Sequence, residues 1–370
     1  MLFKFSHRTV QVLVGIFLTT IFLLISFLSR TDKLVQTEPQ ITFPAQVQAR
    51  ISALTWGADS SNLIIGYSDG KLSIVPVDSD RSYFTVSDTL ETVTSLASSP
   101  NNVLIGVGYE DGTVEIRRIR DGHLLFKAKN HADWIRSLSW HPESTLLASS
   151  SPDKTVVWDI STDEVLTSLE GDMVSLVWAQ NSVLVGRPFN AQTYAWDVST
   201  TQLLSSINAG VRVAVSLDGS KLAGVRGNHM MIWNLNDGAM LSDFGNVNGD
   251  INVLRWSPDN NHLAIAGGNL SNDYTVRIHD SLTGELELTL RGHTEPVFLL
   301  GWNPDKNYLI SVSFDDTVRI WDITTGDILR ILKIGEISDA SKVLLSPDFS
   351  KIAVVTSDES IAIWALLPQG

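Results

Sequence analysis

Asp315-Asp316-Thr317-Val318-Arg319-Ile320-Trp321 reads as a turn aspartate, a short alternating apolar run and a closing tryptophan. The aspartate recurs. Asp69, Asp111, Asp153, Asp273, Asp315 and Asp358 are spaced 42, 42, 120, 42 and 43 residues apart, and 120 is three steps of 40. A period near 40 built only from strand-like segments marks a toroidal array of small sheets, because each unit is too short to bury its apolar face alone and must stack on a neighbour.

Alignment on that aspartate gives eight units. The strand-end position reads Val75, Arg117, Trp158, Trp196, Trp233, His279, Trp321 and Trp364, and units four and five carry Asn190 and Gly227 in place of the aspartate. Seven units is the alternative count, should one be spurious. Unit three is one residue short in Asp153-Lys154-Thr155-Val156-Val157-Trp158, which predicts a local disturbance of that strand. Alternation gives three strands in each unit. Val253-Leu254-Arg255-Trp256 is a first strand, Tyr308-Leu309-Ile310-Ser311-Val312-Ser313 a second, and the third carries the tryptophan. A fourth, such as Glu285-Leu286-Glu287-Leu288-Thr289-Leu290, follows a Gly turn in most units. Ser257-Pro258-Asp259, Asn303-Pro304-Asp305 and Ser346-Pro347-Asp348 separate first from second strands; proline presets the turn dihedral and Asp satisfies turn amides. No useful helical period occurs in the array, so the body is all-β.

Trp158-Asp159, Trp196-Asp197, Trp321-Asp322 and Gly292-His293 resemble the motifs of the WD-repeat β-propeller family, over roughly residues 41 to 370. The resemblance implies eight four-stranded blades and a structural tetrad of His, Ser or Thr, Asp and Trp joined by buried hydrogen bonds. His293, Ser311, Asp315 and Trp321 match it in unit seven, and His131, Ser149, Asp153 and Trp158 in unit three. The other units keep only the Asp or the Trp, so packing is expected to hold them. Stranding a buried polar group costs ~1–3 kcal/mol, so the tetrad carboxylates need their partners.

Unit eight ends at Ile363-Trp364-Ala365-Leu366-Leu367 with only Pro368 to Gly370 beyond, leaving no outer strand for it. Residues 41–49 are positioned to supply that strand and close the ring, which removes an exposed edge. Pro44, without an amide donor, suits an outermost strand.

The start of the chain reads differently. No residue from Thr9 to Ser29 is charged, and Val10 to Leu28 is rich in Val, Leu, Ile and Phe. At ~1.5 Å per residue this run spans roughly 28 Å, close to the hydrocarbon thickness of a bilayer. A secretory signal peptide is the competing reading, but its apolar core is ~7–15 residues and ends in small residues, whereas this one ends Phe27-Leu28-Ser29-Arg30. The expected organisation is a transmembrane signal-anchor over 1–30, a polar linker over 31–40 and the propeller over 41–370. Lys4 and Arg8 precede the span, and Arg30 and Lys33 follow it with Asp32 between them; this small bias places the propeller on the extracytoplasmic side. Cysteine is absent, which excludes disulfide staples and thiol nucleophiles on either side. Asn269-Leu270-Ser271 is a glycosylation acceptor sequence, with meaning only in a host that glycosylates exported proteins.

Charge and motifs limit the function. With 27 basic and 41 acidic residues the net charge is −14, no basic run has interleaved aromatics, and nucleic-acid binding is excluded. Gly66-Tyr67-Ser68-Asp69-Gly70 satisfies a nucleophile pattern, but that pattern works only at a strand-to-helix turn and here falls between two strands. The eight histidines show no metal-ligand spacing, no Gly-rich loop opens a helix, and no cofactor is expected. Five tryptophans lie on third strands and five on first strands (Trp56, Trp140, Trp178, Trp256 and Trp302), which is packing logic; Trp134 stands outside both sets.

In propellers of this kind the residues just before the repeat aspartate and at the entry to the first strand surround the channel mouth. Glu110, Trp134 and Phe314 hold those positions, and the divergent turns of units four and five add Arg187, Phe189 and Arg226. Aromatics and arginines dominate interface hot spots, so these six form the candidate surface for a protein or peptide partner. A membrane-tethered scaffold without catalysis is the leading expectation. An eight-bladed enzyme or redox domain, quinone-dependent or hydrolase-associated, is the alternative, since a fold hosts unrelated functions.

Overall fold

A computed structural model describes residues 35–36, 38–43, 49–77, 84–86, 89–179, 182–227, 229–247, 250–268, 272–303, 307–337 and 339–366. The apolar leader over residues 10–28 and the acceptor triplet at 269–271 lie outside them. Among the described residues no helix is long and apolar enough to cross a membrane.

The strands form eight sheets, seven of four strands and one of five. These are blades 1 to 8 in chain order, each with strands a to d counted from the central channel outward, so the count is eight rather than seven. Blade 7 shows the pattern: a is Val297–Trp302, b Tyr308–Ser313, c Thr317–Asp322 and d Ile328–Lys333. Every residue of its strand b is buried, whereas strand d of blade 2, Leu124–Lys129, alternates between half-buried and exposed. Inner strands are covered by blades on both faces, and outer strands meet water.

Apolar clusters fill the spaces between successive blades. Ile310, Val312 and Val318 of blade 7 pack with Ile352, Val354 and Trp364 of blade 8. Ile51, Leu63 and Ile65 of blade 1 pack with Ala353, Ile361 and Ile363 of blade 8, so the ring closes. The strand-a tryptophans do more than pack. Each indole N–H donates to a strand-a carbonyl of the preceding blade: Trp140 to Ala97 at 2.8 Å, Trp178 to Ser139 at 3.0 Å, Trp256 to Ala214 at 2.9 Å and Trp302 to Arg255 at 3.2 Å. Trp56 makes the same bond to Leu344 at 3.2 Å, across the closure.

The N-terminal segment completes the ring. Ile41–Phe43 pairs antiparallel with Ile361–Ala365, Ile41 opposite Ile363 and Phe43 opposite Ile361, and is strand d of blade 8. Pro44 lies outside the described residues. Val35–Gln36, within the stretch read as a polar linker, adds a short fifth strand that runs parallel to strand d of blade 7, with Val35 opposite Ile331.

The acidity of the chain has a structural origin. The repeat aspartates cap the b–c turns, their carboxylates accepting from the amide two residues on, as Asp111 does from Thr113 and Asp315 from Thr317. Aspartates after the strand-c tryptophan cap the c–d turns: Asp159 accepts from Ser161, Asp197 from Ser199 and Asp322 from Thr324. A third set caps a–b turns, with Asp218 accepting from Ser220, Asp259 from Asn261 and Asp348 from Ser350. Each carboxylate replaces a missing backbone acceptor at a tight bend.

In blade 3 the missing residue does not disturb strand c, a correction to the expectation from unit length. Strands b and c keep continuous register from Leu146 opposite Asp159 to Ser150 opposite Thr155. The shortfall is absorbed in the turn, where Ser151 N donates to Lys154 O at 3.0 Å. A bulge before Trp158 against strand d recurs before Trp196 and Trp321 and belongs to the repeat.

Buried polar clusters and a candidate docking face

Blade 7 gathers its polar residues from three loci: the loop before strand a, strand b and the b–c turn. His293 Nδ1 lies 2.8 Å from Asp315 Oδ2, and His293 Nε2 lies 2.7 Å from Ser311 Oγ. Trp321 Nε1 donates to the same Ser311 oxygen at 2.8 Å, and Thr317 Oγ1 donates to Asp315 Oδ1 at 2.5 Å. Burial works against the Asp315 carboxylate, yet the His293 and Thr317 hydrogen bonds hold it well below the usual carboxylate range. Burial lowers the basicity of His293, opposed by Asp315. In blade 3 the set is looser on the turn side: His131 Nε2 to Ser149 Oγ is 2.8 Å and Trp158 Nε1 to Ser149 Oγ 2.8 Å, but His131 Nδ1 to Asp153 Oδ1 is 3.3 Å. These contacts tie a loop to two strands in each blade.

Blade 2 adds a buried polar cluster to the packing expected to hold most of the remaining units. Arg117 occupies the tryptophan position at 2% exposure, and Glu115 two residues earlier is fully buried. The two form an ion pair at 2.8 Å; Tyr109 Oη donates to Glu115 at 2.8 Å and Arg117 Nη1 to the Gly122 carbonyl at 3.0 Å. Lys127 reaches the other Glu115 oxygen at 3.1 Å from the outside. Burial, then Glu115, push the Tyr109 phenol well above its usual value. Residues 115 and 117 point to one face of a strand, so the Glu-x-Arg spacing was the available sequence signal. Blade 6 follows the same logic in part. His279 replaces tryptophan and lies 3.1 Å from the Gly284 carbonyl, and Arg277 pairs with Asp273 at 2.9 Å.

Ser68 sits in the turn between strands b and c of blade 1, where its hydroxyl accepts from Arg50 N at 3.1 Å. Among the described residues no group of three His, Asp or Glu side chains could hold a metal ion.

The six candidate partner-binding residues separate into four sets. Trp134 and Phe189, 39% and 70% exposed, come together on either side of a residue the sequence reading passed over. Arg136 lies 5.1 Å from the Trp134 ring and 5.0 Å from the Phe189 ring, and its guanidinium also pairs with Asp172. Blades 3 and 4 thus share one aromatic–cation stack at the b–c end. Phe314 stacks at 4.6 Å on Phe298 in blade 7. Glu110 and Arg226 are exposed at the same end of their blades but join neither group by hydrogen bond, ion pair or ring contact. Arg187 is half-buried and lines a cavity on the channel side of blades 4 to 6.

Residues 240–280 and 284–322 match the family described as WD domain, G-beta repeat, and residues 96–181 match the Anaphase-promoting complex subunit 4 WD40 domain. These matches support a WD-repeat β-propeller. Relatives with the repeat include WD repeat-containing protein 1 of Bos taurus, 34% identical over 98 residues that cover 26% of this chain and 15% of that protein. The Chromatin assembly factor 1 subunit FAS2 homolog of Oryza sativa subsp. japonica is 32% identical over 123 residues, covering 32% and 24%. COMPASS component SWD3 of Saccharomyces cerevisiae is 31% identical over 119 residues, covering 32% and 36%. The WD-repeat propeller therefore spans well under half the length of these relatives. The crystal structure of the computationally designed Ika8 protein superposes with a TM-score of 0.68 at 21% identity, over 90% of this chain and 99% of that one, and shares the fold.

Proposed function

We propose that this chain is a membrane-tethered scaffold, with no catalysis of its own, that recruits a protein or peptide partner to the b–c end of blades 3 and 4. The observation that carries the reading is the Trp134–Arg136–Phe189 stack: two large exposed rings ordered around a cation whose charge is already matched by Asp172. Such preordered aromatic–arginine groups lose little entropy on binding and are the usual centres of interface energy. Two relatives, a chromatin assembly factor subunit and a COMPASS component, are by name parts of assemblies. Trp134→Ala with Phe189→Ala is expected to lower capture of crosslinked partners from native membranes by about tenfold or more. Equal capture by the variant and the unaltered protein would remove this face from consideration.

Support for the tether comes from the uncharged Thr9 to Ser29 run. The full chain is expected to stay with the membrane pellet after an alkaline carbonate wash, and a chain lacking residues 1–30 to move to the supernatant. Release of the full chain by the wash would refute the anchor.

A further inference from the structure

The channel side of blades 4 to 6 carries a feature that the docking face does not use. A cavity of about 520 Å³ opens there between the strand-a walls, a size suited to a small ligand. Arg187, Arg212 and Arg255 line it, and none of its lining residues is acidic. Each arginine breaks the repeat. Arg187, beside Gly186 at the end of its strand b, takes the place held by Val225, Val312 and Val355 in blades 5, 7 and 8. Arg212 stands where blades 2, 3 and 4 have Ser95, Ser137 and Ser175. Arg255 stands where blades 1, 2 and 3 have Thr55, Ala97 and Ser139.

Among the described residues none of the three arginines has a carboxylate within ion-pair distance. The Arg187 hydrogen bond is a 3.4 Å contact to the Pro188 carbonyl, and the Arg255 bond a 2.9 Å contact to the Leu254 carbonyl. Burial, and then the neighbouring Arg212 charge, disfavour the charged form of Arg187. A second observation points the same way. Thr193 lines the cavity at 1% exposure with no hydrogen-bond partner for its hydroxyl among the described residues, at a position occupied by Val114, Val276 and Val318 in blades 2, 6 and 7 and by the similarly unpartnered Thr155, away from this cavity, in blade 3. In a chain of net charge −14, three arginines and an idle hydroxyl on one cavity wall form a set that an anionic ligand would complete.

We propose that this cavity binds a small polyvalent oxyanion, a phosphate- or carboxylate-bearing ligand, gripped by Arg187, Arg212 and Arg255 with Thr193 as a further donor. Planar guanidinium groups match both oxyanions in two-point contacts, and their separate blades let three of them converge from different sides.

Titration calorimetry of the full-length protein at low ionic strength, with pyrophosphate in one series and citrate in another, tests this. One-to-one saturation by at least one of them is expected, weakening as salt is raised. Arg187→Val is expected to lower that affinity by about tenfold or more while keeping or raising the melting temperature without ligand, since three other blades carry valine there. Arg255→Thr, the residue of blade 1, is a second variant with the same expected loss. Saturation by pyrophosphate alone assigns a phosphate ligand, and by citrate alone a carboxylate one. The Trp134→Ala, Phe189→Ala variant should bind the anion unchanged, which keeps this site distinct from the docking face. No saturable binding of either anion at millimolar concentration, or unaltered affinity in both arginine variants, overturns the proposal.

Discussion

Glu115→Ala is expected to destabilise the propeller by about 3–5 kcal/mol, because it removes the carboxylate that pairs with the buried Arg117 guanidinium. Arg117 is 2% exposed and would lose its 2.8 Å ion pair with Glu115, while Tyr109 would lose the acceptor for its hydroxyl. Denaturant titration of the variant beside the unaltered chain gives the number. A loss below about 1 kcal/mol would show that the pair is solvated rather than buried. The triple change Tyr109→Phe, Glu115→Leu, Arg117→Trp removes all three polar partners together. Replacing a buried ion pair by apolar groups is often neutral, and Trp364 in blade 8 already stands at this position with no partner for its indole N–H. The triple variant is therefore expected to lie within about 1.5 kcal/mol of the parent. If it were as unstable as Glu115→Ala, shape and not charge would govern blade 2.

Removal of residues 1–43 is expected to cost about 3 kcal/mol relative to removal of residues 1–34. The longer truncation takes away both N-terminal strands and uncovers the backbone edge of Ile361–Ala365. Ile41 and Phe43 are half-buried against the closure cluster, so each contributes roughly 1 kcal/mol of apolar burial, and the lost pairing adds the remainder. An open edge also templates association. Melting temperature and elution volume of the two truncations read both effects. Equal stability and a monomeric profile for the longer truncation would mean that the other seven blades hold the ring without its last strand.

The ring was legible in the sequence because a repeat writes the same physical demand many times. Asp111, Asp273 and Asp315 recur since each b–c turn needs the same acceptor, and five strand-a tryptophans recur since each must reach the blade before it. What they reach was not legible: the acceptors are backbone carbonyls such as Ala97 O and Arg255 O, which carry no side-chain signature. Departures from the repeat were harder still. Arg117 was visible at a tryptophan position, but its meaning depends on the buried Glu115 and Tyr109, and Arg136 gains its role only where Phe189 of the next blade meets it. The irregular turn around Arg187 points to the channel mouth, and register sets the residue opposite Ser175 of strand a, beside a cavity that the sequence does not announce. Val35–Gln36 gave no alternation to read in two residues.

That small fifth strand has a geometric consequence. Val35 lies beside Ile331 on the outermost strand of blade 7, so the chain that precedes it meets the disc at its rim. A wheel hung from its tyre keeps both hubs clear. Were the leader anchored as proposed, attachment at the rim would leave the aromatic stack on one flat side and the turn loops on the other accessible at once.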